Sequence, residues 1–248
     1  MEVEKEPHMG EGSAEVFTGN SSVAAIHQTY GNTAQLFAQQ INNHLKNDRP
    51  YVLLDAGSSR GELLGGLLAE LPDFIFETIA IDINDKILLE NKPAKRKIVA
   101  SLDNIPLADK SVDVTIARYI LQWNYFERQK NILKELSRVT KEFVLVEHSG
   151  ADSQTPDKWR QAYTSLFSGD KVVKMKREEQ FYSSRLELES LMEEMGIKFE
   201  KLQERKIDNP SDIFITRYRL DSEEAQLTKQ ILGEYDYFIQ TDWIIYPN

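Results

Sequence analysis

Between Tyr51 and Glu62 a short apolar run ends in a carboxylate, passes through a glycine turn and opens into a helix. The stretch reads Tyr51-Val-Leu-Leu-Asp55-Ala-Gly57-Ser-Ser-Arg-Gly61-Glu62. An apolar run of this length, with Pro50 before it and glycine after, reads as a buried strand. Glycines accept positive φ and let backbone come close to a ligand, and a helix start offers free N–H groups to an anion. The rival for such a turn is the dinucleotide phosphate loop, G-x-G-x-x-G. Counted from Gly57, its second and third glycines fall on Ser59 and Glu62, so the turn argues against a dinucleotide.

The alternation repeats downstream. Apolar stretches at 79–81, 97–100, 112–117 and 143–146 read as strands, and 62–71, 85–90 and 125–139 as the helices among them. Near-continuous apolar strands separated by helices predict a parallel sheet covered on both faces. Residues 198–205 and 213–219 are expected to add two strands, an antiparallel pair joined around Asn209-Pro210-Ser211, with a final helix from Asp221. The expectation is an α/β chain with a Rossmann-like, mostly parallel seven-stranded sheet, helices on both faces and an antiparallel strand at the C-terminal end.

Residues 1–22 are polar and acidic and read as a disordered lead without a secretory pattern. Residues 23–248 form a single domain, with an N-terminal helical cap over 23–48, split at Tyr30-Gly31-Asn32, and an insertion over 151–184. The chain of 248 residues has no cysteine, which excludes disulfides, thiolate metal sites and a cysteine nucleophile. No metal site is expected. A net charge of -10 argues against a nucleic-acid partner, and no apolar run is long enough to span a membrane. The expected setting is cytoplasmic, and a homodimer is compatible with the aromatic-rich C-terminus, which includes Trp243 and Tyr246.

A second acidic strand end, Ile79-Ala-Ile81-Asp82, follows the first turn at the spacing of a ribose-binding carboxylate. With it, the chain resembles class I S-adenosylmethionine (SAM)-dependent methyltransferases of the small-molecule type. Asp55-Ala-Gly57-Ser-Ser-Arg-Gly61 looks like that family's D-x-G-x-G-x-G turn, and Asp82 like its ribose acid. Ser101-Leu-Asp103-Asn-Ile-Pro106-Leu resembles the adenine-contacting D-x-x-x-L-P segment. Ser111-Val-Asp113-Val is similar to S-F-D-V, and Leu133-Lys-Glu135-Leu-Ser-Arg138-Val to L-x-E-x-x-R-V. The chain departs from the pattern at Ser59 and Ser101, and at Thr140-Lys141-Glu142, where the family carries a glycine pair. What the resemblance implies is a SAM site drawn from Asp55, Gly57, Ser59, Gly61, Asp82, Ile83, Ser101, Leu102, Asp103 and Arg118.

Methyl transfer from SAM is an in-line displacement that needs placement and a dry site, with a base only where the acceptor must lose a proton. His148, at the carboxyl end of a strand, is the first candidate base and His27 the second. Tyr30, Tyr119, Gln122, Trp123, Trp159 and Tyr163 are the candidate acceptor contacts, the last two in an insertion read as a lid. Leu121-Gln122-Trp123 resembles the L-Q-W of carboxyl methyltransferases acting on trans-aconitate or malonyl carrier proteins. The leading expectation is methylation of an O or N atom of a small molecule. The alternatives are carboxyl methylation and a SAM-binding protein with non-methyl chemistry.

Overall fold

A computed structural model describes residues 23–124, 126–150, 183–208, 222–233 and 237–247, with side chains left out at 23–32, 123, 208, 224, 237 and 238. Helix α1 (Val23–His44) leads into β1 (Tyr51–Ala56), α2 (Glu62–Glu70), β2 (Phe76–Asp82), α3 (Asp85–Leu89) and β3 (Arg96–Val99). Then come β4 (Val112–Arg118), a 3-10 turn (Leu121–Trp123), α4 (Phe126–Val139), β5 (Thr140–Gly150), α5 (Arg185–Glu194), β6 (Lys198–Asp208), α6 (Ser222–Leu232) and β7 (Tyr237–Tyr246). The seven strands make one sheet in the order β3-β2-β1-β4-β5-β7-β6. The first five are parallel, and β7 runs antiparallel to both β5 and β6.

Successive side chains of a strand face opposite sides, and both sides here are apolar. Leu54, Val144, Val146 and Trp243 pack with Leu133 and Leu136 of α4 and Leu188 and Leu191 of α5. Leu53, Val114, Phe143, Leu145 and Ile244 pack with Phe37 and Ile41 of α1 and Leu63, Leu64 and Leu67 of α2. The near-continuous apolar strands of the sequence are therefore strands buried on two faces.

Five expectations need correction or placement. Helix α1 is continuous through Gly31 rather than split; one glycine costs a helix only about 1 kcal/mol, less than burying Phe37 and Ile41 returns. The strand expected over 213–219 and the insertion over 151–182 lie outside the described residues, as does the lead over 1–22. The aromatic C-terminus is β7, inserted between β5 and β6, with Trp243 wholly buried.

Helix α4 runs straight into β5 without glycine. The Thr140 hydroxyl donates to the Leu136 carbonyl at 2.6 Å and lies 2.6 Å from the Thr115 hydroxyl. Its single proton is thus used on the helix end, and Thr115 is the donor to Thr140. This satisfies a helix-terminal carbonyl that a glycine cap would otherwise serve. Arg138 binds the carbonyls of Ile105 and Leu107, both at 2.9 Å, and Glu135 accepts from the Ile105 amide at 2.8 Å. The Glu135 and Arg138 pair thus pins the 105–109 loop to α4.

Candidate active site

The sheet reverses direction of growth at β1, with β2 on one side and β4 on the other. A crevice outside the carboxyl ends of strands at such a switch point is where open α/β sheets bind ligands. The glycine turn leaves β1 here and is fastened to β2: Gly57 and Ser58 donate to the Ile81 carbonyl at 2.8 and 3.0 Å. Ser59 donates its N–H to Asp82 Oδ2 at 2.9 Å, and Asn84 donates to Asp82 Oδ1 at 2.9 Å. Asp82 therefore shapes the turn as well as facing the crevice.

Gly57 and Gly61 hold φ of 72° and 82°. A Cβ on Gly57 would lie 2.4 Å from Ile120 Cγ2, and one on Gly61 2.6 Å from Asn91 Oδ1. Ser59 stands at φ 48°, so the turn keeps a left-handed conformation although its middle glycine is gone. Below the turn, wholly buried Asn91 donates to Ser58 Oγ at 3.1 Å and accepts from Ala94 N at 3.1 Å. Sequence reasoning missed Asn91, since nothing in its neighbourhood marks it; only the close approach of Gly61 does.

Asp55 is buried, and its Oδ2 has no hydrogen-bond partner among the described residues. Burial, then the carboxylates of Asp82 and Glu62, push its pKa up to about 8. An unpaired buried carboxyl is costly to stability and is suited to a cationic ligand, which would favour its charged form. With glycine backbone beside it and Asp82 across the crevice, the cradle fits an adenosyl ligand carrying a positive centre. Ile83 and Leu102 are half-buried on the same rim.

Arg128, from α4, donates to Ser101 Oγ at 2.8 Å and lies 3.0 Å from Asp103. Ser101 and Asp103 are thus tied together, by an arginine the sequence reading did not single out. Arg118 pairs with Glu147 at 2.6 Å and stacks over the Tyr119 ring, 4.1 Å from its centre. Its guanidinium reaches toward β5. Gln122 is buried, with Oε1 unpaired among the described residues. Trp123 lies in the 3-10 turn and His27 and Tyr30 in α1, but their side chains are outside the described residues, as are Trp159 and Tyr163 altogether.

His148 does not sit as a base should. Its ring is fully buried, facing Trp243 at 6.1 Å, with Nε2 2.7 Å from the Ser183 carbonyl. A carbonyl only accepts, so Nε2 carries the proton, and Nδ1 has no partner among the described residues. Burial outweighs the Ser183 bond and lowers the pKa to about 4. A base that weak takes a hydroxyl proton poorly near neutrality. The Ser183 hydroxyl donates in turn to Oε1 of wholly buried Gln129 at 3.0 Å, and Gln129 Nε2 donates to the carbonyls of Leu121 and Asn124. His148 belongs to this brace.

Residues 54–143 match a family model described as a methyltransferase domain. No curated protein sequence matches the chain. Among solved structures, the YcgJ protein of Bacillus subtilis is similar in fold, at 13% identity and a TM-score of 0.66, with 88% of this chain and 98% of the other covered. Geranyl diphosphate C-methyltransferase from Streptomyces coelicolor, in complex with Mg2+, geranyl diphosphate and S-adenosyl-L-homocysteine (SAH), aligns at 14% identity and a TM-score of 0.56, over 86% and 78% of the two chains. A (4+2)-cyclase, SpnF, aligns at 12% identity and a TM-score of 0.54, over 86% and 80%. The chain thus carries a methyltransferase domain on the class I fold. The domain match spans residues 54–143, and the fold is shared with methyltransferases solved with SAM or SAH bound.

Proposed function

We propose that this protein methylates an O or N atom of a small-molecule acceptor. The observation that carries the reading is the cradle at the β1–β4 switch point. There a left-handed turn through Gly57, Ser59 and Gly61 is locked to Asp82, beside an unpaired buried Asp55. When bound, SAM supplies a methyl on a sulfonium sulfur, whose S–C bond breaks as an O–C or N–C bond forms, leaving neutral SAH.

The chain's own residues then bind, orient and exclude water. Asp82 has lone pairs left on both oxygens for ribose hydroxyls. Asp55 offers negative charge to the cationic end of the ligand, and Arg128 holds the Ser101–Asp103 segment beside it. His148 is withdrawn as a base by its burial and hydrogen bonding. An acceptor proton leaves to water or to His27, which remains a candidate by position alone. Calorimetry with SAM and SAH, followed by mass spectrometry of methylated candidate acceptors, tests the reading. Failure to bind either ligand, or tighter binding of NAD, would refute it.

A further inference from the structure

On the α1 face of the sheet, where the apolar core ends, a row of polar side chains crosses four strands. Arg118 of β4 is in register with Glu147 of β5, which is opposite Asp242 of β7. Asp242 faces Gln203 of β6, and two residues along the strands Gln240 faces Arg205. Glu147, Gln240 and Asp242 are wholly buried.

The row is only partly satisfied. Glu147 is paired with Arg118 and also accepts from the Thr33 hydroxyl of α1. Gln203 donates to Asp242 Oδ2 at 2.8 Å, and Tyr119 OH donates to Gln240 Oε1 at 3.3 Å. Arg205 points at both carboxylates but stops short of hydrogen bonds, 3.9 Å from Glu147 and 3.8 Å from Asp242. Its Nε and Nη2 have no hydrogen-bond partner among the described residues, and neither do Gln240 Nε2 and Asp242 Oδ1. Burial and the neighbouring Glu147 raise the Asp242 carboxyl, which favours its neutral form.

The unpaired atoms have a specific shape. Nε–H and Nη2–H form the side-on fork of a guanidinium, the edge that receives both oxygens of a carboxylate in parallel. Gln240 Nε2 adds a donor from the facing strand. Glu147 is committed to Arg118 and Thr33, so the Arg205 charge lacks a hydrogen-bonded counter-ion. A quarter of the Arg205 side chain is exposed at β6, while Nε and Nη2 themselves are buried. The β4 end of the row lies near the cradle, since Asp55 and Ala56 are in register with Ile116 and Ala117, two residues before Arg118-Tyr119, and Gly57 abuts Ile120. From β6, at the sheet edge, Arg205 reaches back to within 3.9 Å of Glu147 on β5.

We propose that Arg205 and Gln240 bind a carboxylate of the acceptor, as a recognition group that seats the molecule beside the methyl donor. This rests on the methyltransferase reading above. The test uses the full chain saturated with SAH, titrated with acetate against acetamide and benzoate against benzamide, and read by thermal shift and calorimetry. The carboxylates should bind and raise the melting temperature, and the amides should not. Arg205→Gln should weaken carboxylate binding about tenfold or more while SAH still binds, and Arg205→Lys, which keeps charge without the fork, should recover only part. If Arg205→Gln does not fold, Gln240→Leu serves, with a severalfold loss expected. Equal binding of acid and amide, no carboxylate binding at all, or an unchanged response in the variants overturns the inference. Failure of the wild-type chain to bind SAH instead overturns the reading it rests on.

Discussion

The Ser59 amide donates to Asp82 Oδ2 at 2.9 Å, so the turn after β1 and the acid ending β2 form one unit. Asp82→Ala removes a ligand acceptor and the turn's anchor together. SAM affinity should fall by about 1–3 kcal/mol, and the ligand-free chain should also melt earlier. Asp82→Asn has one carbonyl oxygen for the N–H groups of Ser59 and Asn84, so calorimetry should place it between wild type and alanine. Unchanged affinity in a folded Asp82→Ala chain would remove Asp82 from the site.

How far the sequence could be read follows from where each signal is written. Local signals were enough for β1, α2, β2, α4 and the glycine turn, because apolar period and turn chemistry lie within a few neighbouring residues. Segment 237–246 was legible only as aromatic, since its strand pairings are with β5 and β6, at Val146↔Trp243 and Lys201↔Trp243, both far away in the chain. The same holds in the site. Asp55, Gly57 and Asp82 announce themselves at strand ends, whereas Asn91, Arg128 and Arg205 act from distant segments. Position at a strand end does not say which face the His148 side chain takes. Here the even-numbered residues of β5 face α4 and α5, which buries the ring.

Gly57 carries the tightest approach in the turn, and its φ of 72° already disfavours a side chain. Gly57→Ala places a methyl 2.4 Å from Ile120 Cγ2. Left-handed strain alone costs about 1–2 kcal/mol, and relief requires moving the start of the 3-10 turn. The variant should lose stability and bind SAM at least about tenfold more weakly. Gly57→Ala combined with Ile120→Ala should recover part of both; no recovery would mean the contact is not what Gly57 protects.

His148 should matter to folding more than to proton transfer. Its folded pKa of about 4 lies below the ordinary histidine value of 6.5. The neutral form is therefore favoured by the fold, and the stability this contributes is complete above about pH 6.5 and is lost as the pH falls through about 4. His148→Ala should cost about 2 kcal/mol or more from the lost Ser183 bond and the cavity. Its melting temperature should fall less than that of wild type between pH 6.5 and 4. A pH–rate profile should show no limb that disappears with this mutation; if one does, His148 is the base after all.

Asp55 gives the opposite sign. Its carboxyl is raised to about 8, so the folded chain holds a proton that the unfolded chain releases near its ordinary value of 3.8. Between those values the folded state binds more protons, and stability declines as the pH rises from about 4 to about 8. Asp55→Asn removes that decline, so the ligand-free variant should be more stable than wild type at pH 8 and differ less near pH 4. Ligand binding should run the other way. If the cationic end of SAM prefers ionised Asp55, binding must expel the proton below pH 8. Affinity should then rise with pH by up to about tenfold per unit and level off above about 8. SAH, which lacks the sulfonium charge, should show a shallower slope. In Asp55→Asn both ligands should bind weakly and without this pH dependence. Calorimetry in two buffers of different ionisation enthalpy would count the released proton directly. A pH-independent wild-type affinity with no proton release would show that Asp55 is not what meets the positive charge.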